Sequence, residues 1–78
     1  MSPGIFVYTQ KHAVRELPNG WVIWNDRIVT AISKRPLSPA EAIRFFQAVT
    51  DLLPNDWAED PEIAELEDGR IAIHGCAD

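Results

Sequence analysis

Cysteine is almost missing from this chain: Cys76 is the only one in 78 residues. No disulfide can therefore form within it, and a lone thiol suits a reducing compartment. Long apolar runs are missing too, since no stretch approaches the roughly 18 residues that a membrane-crossing helix needs. The first residues, Met1-Ser2-Pro3-Gly4-Ile5-Phe6, have no basic stretch leading into an apolar one, which argues against secretion. Gly4 is also too far along for N-terminal myristoylation, which needs glycine directly after the initiator. The expectation is a soluble cytoplasmic protein with no membrane association. Internal repeats and low-complexity tracts do not occur. Nor do the P-loop, the dinucleotide fingerprint, the nucleophile elbow or the zincin motif.

At 78 residues the chain reads as one small domain, residues 1–78. A domain of this size buries only about 60% of the surface its unfolded form exposes, so stability is marginal and every large side chain counts. The net charge of −5 conceals two unlike halves. Residues 1–50 carry six Lys/Arg against three Asp/Glu, whereas residues 51–78 carry one Arg against nine acids. Seven of the thirteen residues from Asp56 to Asp68 are acidic. Such a segment is either a solvated face or a patch that meets a basic partner.

The clearest element is a helix over about 39–53. Ser38-Pro39-Ala40-Glu41 has the capping-box pattern, with Ser38 as N-cap, proline at the first helical position and Glu41 at N3. Ala42, Phe45, Val49 and Leu52 then recur at helical spacing, Ile43, Phe46 and Leu53 broaden the stripe, and Pro54 stops it. Upstream, Leu17-Pro18-Asn19-Gly20 suits a turn with Gly20 in the left-handed bulge position. It joins a strand at about 12–17 to Trp21–Asn25, and Asp26-Arg27 turns the chain into Ile28–Ser33. Ile5-Phe6-Val7-Tyr8 is a further candidate strand. Downstream, Asp60-Pro61-Glu62 could open a short helix, but Asp68-Gly69 is a favoured type I′ hairpin pair. The hairpin is the better reading, with Ala64 opposite Ile73 and Leu66 opposite Ile71 on one apolar face. The fold class expected is α+β: an antiparallel sheet of about four to six strands, an N-terminal meander and a C-terminal hairpin, packed against one main helix.

That arrangement leaves apolar surface over. Pairing across Asp26-Arg27 puts Trp24 opposite Val29 and Trp21 opposite Ile32. The face bearing Trp21 and Ile23 is apolar, and so is the one bearing Val22, Trp24, Val29 and Ala31. A sheet apolar on both sides needs cover on both sides, and one long helix covers one. The C-terminal hairpin or the loop carrying Trp57 could supply the second cover, or a homodimer seam or partner could. Tryptophan is enriched at binding hot spots, although each Trp alone is more often a core residue.

Catalytic signals are sparse. His74-Gly75-Cys76 places an imidazole and a thiol on the same side of a strand, and a Cys–His pair can form a nucleophile or contribute metal ligands. With only His12 elsewhere and no third ligand nearby, a strand-end histidine and an incidental thiol is the preferred reading. The crowded carboxylates read as solvated rather than as a general-acid pair. Neither a catalytic residue nor a cofactor or metal site is assigned. Direct nucleic-acid binding through Lys11, Arg15, Arg27 and Lys34-Arg35 is disfavoured by the anionic whole.

In size, charge and architecture the chain resembles the small inhibitors and adaptors made by phages and other mobile elements, anti-CRISPR proteins among them. The resemblance covers the whole chain but has no diagnostic residues; it implies an inhibitor that blocks a larger cytoplasmic complex. The function expected is a non-enzymatic protein-binding module. Its candidate contact residues are Trp21, Trp24 and Arg27, with Trp57, Glu59, Asp60, Glu62, Glu65 and Glu67. A partner with a basic surface would suit the acidic set. A homodimeric structural protein is the alternative reading.

Overall fold

The computed structural model describes residues 12–78, and of His12 and Ala13 the backbone alone. The candidate strand at Ile5–Tyr8 lies outside the described residues. In chain order the elements are β1 (His12–Leu17), β2 (Gly20–Asn25), β3 (Ile28–Ser33), α1 (Pro39–Asp51), β4 (Glu62–Glu65) and β5 (Ile71–Cys76). The five strands form one sheet in the order β1-β2-β3-β5-β4, with every neighbouring pair antiparallel. The α+β arrangement, the meander and the C-terminal hairpin are as the sequence pattern predicts.

β2 and β3 pair in the expected register, Trp24 with Val29 and Trp21 with Ile32. Asp26, at φ 59°, takes the tight corner between them, a conformation that aspartate tolerates better than most residues. The β1–β2 turn differs from expectation. Gly20 is not in a left-handed bulge; it begins β2 directly opposite Leu17, and the positive-φ residues among those described are Asp26 and Gly69. Its lack of a side chain serves the tertiary structure, because a Cβ there would come within 2.7 Å of the Phe45 ring of α1.

α1 begins as the capping box requires. The Ser38 hydroxyl accepts from the Glu41 N–H at 3.2 Å, and the Glu41 carboxylate accepts from the Ser38 N–H at 3.0 Å. The helix ends at Asp51, where the Leu52 N–H turns back to the Val49 carbonyl at 3.1 Å. Val22, Val29, Ala31 and Ile73 from the sheet meet Phe45, Val49 and Leu53 in the core, with Ala77 closing one end.

The C-terminal hairpin forms with its register shifted by one residue. Ile63, not Ala64, lies opposite Ile73, and Glu65 lies opposite Ile71. A type I′ turn needs two residues at positive φ, and here only Gly69 (φ 89°) has it. The loop is therefore a three-residue one, with the Gly69 N–H bonded to the Leu66 carbonyl at 2.9 Å and the Leu66 N–H to the Arg70 carbonyl at 2.7 Å. A slip of one residue exchanges the faces of a strand. Ile63 and Glu65 thus share the helix side with Ile71 and Ile73, while Glu62 and Ala64 fall on the opposite face.

Candidate protein-binding surfaces

The register places three rows of side chains on the face away from α1. Glu16, Trp21, Ile32, Ala72 and Ala64 form the first, and Val14, Ile23, Thr30, His74 and Glu62 the second. Ile28 and Cys76 lie in a third. The hairpin of β4 and β5 does not fold across this face; β5 pairs beside β3 and widens the sheet instead. Among the described residues nothing covers Val14 (66% exposed), Trp21 (39%), Ile23 (38%) or Ile28 (47%). Antiparallel sheets that face water on one side normally alternate to polar residues there; this face carries Glu16, Thr30, His74 and Glu62 but sets the exposed Val14, Trp21, Ile23 and Ile28 among them.

Trp21 is held in place at the edge of that patch. The Lys34 ammonium lies 5.5 Å from the indole centroid and forms an ion pair with Glu16, which flanks Trp21 across the β1–β2 ladder. The indole is thus held beside a paired cation while remaining partly exposed. Arg35 is engaged as well: its guanidinium bonds the Glu41 carboxylate at 2.8 Å. That contact, followed by the Ser38 N–H, holds the Glu41 carboxyl down at about 2 against an ordinary 4.5. The basic pair Lys34-Arg35 is therefore spent on internal partners.

The other two tryptophans serve the covered side. Trp24 pairs opposite Val29 and leans on the core. Trp57 stacks on Phe46 with ring centroids 6.2 Å apart, and its indole N–H donates to the Thr50 hydroxyl at 2.9 Å. Gly75 makes room for it, since a Cβ there would lie 2.9 Å from the Trp57 ring. Trp21 and Trp24 consequently face opposite sides and form no joint surface. Arg27 binds the chain's own end, its Nε donating to the Ala77 carbonyl at 3.3 Å while its carbonyl accepts from the Ala77 N–H at 2.7 Å.

The acidic candidates gather around β4. Glu59, Asp60 and Glu62 line a cleft of about 340 Å³ with Ile28, His74 and Cys76. Glu65 lies on β4, and Glu67 is in the hairpin loop beyond it. The imidazole and thiol do face the same side, as strand parity predicts, but the His74 Nδ1 pairs with the Thr30 hydroxyl at 2.9 Å rather than with Cys76. No cluster of three or more His, Cys, Asp or Glu side chains among the described residues is arranged to hold a metal ion. No helix among them is long and apolar enough to cross a membrane.

Two groups of exposed residues escaped the sequence reading. Val14 and Ile28 join the Trp21 face, and strand parity from the β2–β3 pairing could have found Ile28. Ile43 (61% exposed) and Ile63 (55%) flank an apolar cleft on the other side, and finding Ile63 required the true hairpin register. No family model, curated protein or solved structure matches the chain.

Proposed function

We propose that this protein is a non-enzymatic binding module that docks a protein partner on the open face of its sheet, and that it acts as an inhibitor or adaptor of a larger cytoplasmic complex. The observation that carries this reading is the uncovered apolar patch at Val14, Trp21, Ile23 and Ile28. Contiguous apolar surface of this kind marks interaction sites on folded proteins. A pre-positioned indole, clamped by Lys34 and Glu16, would meet a partner at little cost in side-chain entropy.

The experiment compares wild type with the double variant Trp21→Gln, Ile23→Thr. A partner is captured from cytoplasmic extract with the wild type, identified by mass, and titrated against both proteins by calorimetry. Loss of a hot-spot anchor costs at least about 2 kcal/mol, so the variant should bind roughly thirtyfold more weakly. Equal affinity of the two proteins would refute the reading. A second reading, a homodimer that buries the same face against its copy, draws on the same exposure, since two apolar sheet faces can stack as a sandwich.

A further inference from the structure

Three features converge at the β4 edge, at the opposite end of the sheet from β1. The first is a free strand edge. Because the Leu66 N–H bonds the Arg70 carbonyl, antiparallel alternation puts the next ladder bonds at the Ala64–Ala72 and Glu62–His74 pairs. The N–H and C=O groups of Ile63 and Glu65 then point away from β5, and among the described residues β4 is the last strand of the sheet. The second is an apolar cleft of about 170 Å³ between the edge and α1, lined by Ala42, Ile43, Phe46, Ile63, Ile71 and Ile73. A dry cavity of about 150 Å³ accommodates a molecule such as benzene, so one branched or aromatic side chain suits this space.

The third is charge. Ion pairs among the described residues engage Glu16, Glu41 and Asp68; none engages Glu59, Asp60, Glu62, Glu65 or Glu67. The one cation in residues 51–78, Arg70, is bound to Asp68. Short, charged edge strands resist pairing with their own kind. A second copy of β4 would set Glu62 and Glu65 against the same carboxylates, an unfavourable cross-strand arrangement. A cationic strand meets the opposite situation.

We propose that β4 is a docking edge for an extended basic segment of a partner protein, which adds a sixth strand to the sheet. An apolar residue of that segment, opposite Ile63, lies on the helix side and enters the cleft between Ile43 and Ile63. Its immediate neighbours point to the other face beside Glu62, and the residues two away return to the helix side beside Glu65. Lysine or arginine at those positions completes the match. Main-chain hydrogen bonds supply affinity, while the cleft and the carboxylates supply selectivity. Glu62 belongs to the open face, but the strand edge and the Ile63 cleft do not include Val14, Trp21, Ile23 or Ile28, so either site can fail without the other.

The probe is the fluorescein-labelled peptide Thr-Lys-Arg-Ile-Arg-Lys-Thr, followed by fluorescence anisotropy with the whole chain. Two control peptides replace the isoleucine by serine, or all four cations by glutamate. Binding of the parent peptide should weaken from low salt, where the Debye length is about 30 Å, to physiological salt, where it is about 8 Å. The serine peptide should bind at least about tenfold more weakly, since the apolar burial is lost. The glutamate peptide should not bind. Glu65→Pro removes an outward N–H without touching the β4–β5 ladder and should weaken binding about tenfold or more, whereas Glu65→Gln tests the charge alone and should cost less. Ile43→Ser, at an exposed helix position, tests the cleft if Glu65→Pro fails to fold, and should abolish the preference for isoleucine over serine. Trp21→Gln, Ile23→Thr should bind the peptide like wild type. The proposal is overturned by no binding at low salt, by equal affinity for the isoleucine and serine peptides, or by a dimer that Glu65→Pro dissociates.

Discussion

Among the described residues Ser33 is the buried polar side chain of the core, and its hydroxyl does the work of a missing ladder bond. At the point where β3 leaves the sheet, the hydroxyl accepts from the Ile71 N–H and donates to the Arg35 carbonyl, both at 2.8 Å. Ser33→Ala would take this partner from the part-buried Ile71 N–H and Arg35 carbonyl. We expect it to destabilise the fold by about 1–3 kcal/mol, read from the urea midpoint at unchanged m-value. A change under half a kcal/mol would show that water replaces the hydroxyl. At this scale little was legible beforehand. Ser33 looked like an ordinary strand end, and Gly20 looked like a turn glycine. Each is fixed by a residue distant in sequence, Ile71 for one and Phe45 for the other, and no local pattern announces either contact.

α1 and the meander were legible because their determinants are local: a capping box with helical periodicity, and strand parity around a tight turn. The β4–β5 register was not, because Asp68-Gly69 is compatible with two loop lengths, and the choice rests on backbone angles that composition leaves open. The capping box also makes the helix start sensitive to acid. Arg35 and the Ser38 N–H hold the Glu41 carboxyl at about 2 in the folded chain, below its ordinary 4.5. A depressed folded value means that the stabilisation is complete above pH 4.5 and is lost as pH falls from there toward 2. Asp68, lowered chiefly by the Arg70 backbone N–H, adds a contribution of the same sign. Glu41→Gln should therefore show a shallower fall in Tm across that window than wild type, with part of the decline remaining through Asp68. Parallel curves for the two proteins would mean that the Arg35–Glu41 contact does not persist in solution.

For the molecule as a whole, one long helix against a sheet apolar on both sides foretold an uncovered face. It could not foretell which face, since Trp24 and Trp21 advertise the two sides about equally. The choice follows from close approach: Gly20 and Gly75 open the helix side to Phe45 and Trp57, and among the described residues no glycine opens the other. Neighbouring strand positions therefore make a sharp comparison. Val22 is fully buried under α1, whereas Ile23, next along β2, is 38% exposed on the open face. Threonine suits a strand at both sites, so propensity drops out of the difference. Val22→Thr should cost about 1–3 kcal/mol, because a hydroxyl is buried without a partner, while Ile23→Thr should stay within about 0.5 kcal/mol. If Ile23→Thr proves as costly as Val22→Thr, something covers the face in solution. A Tm that rises with protein concentration would then identify that cover as a second copy, because association stabilises by mass action. A Tm independent of concentration would assign it to the chain itself. Either result would move the docking surface for a foreign partner from the Trp21 face to the β4 edge, where Glu65 and the apolar cleft lie on the helix side.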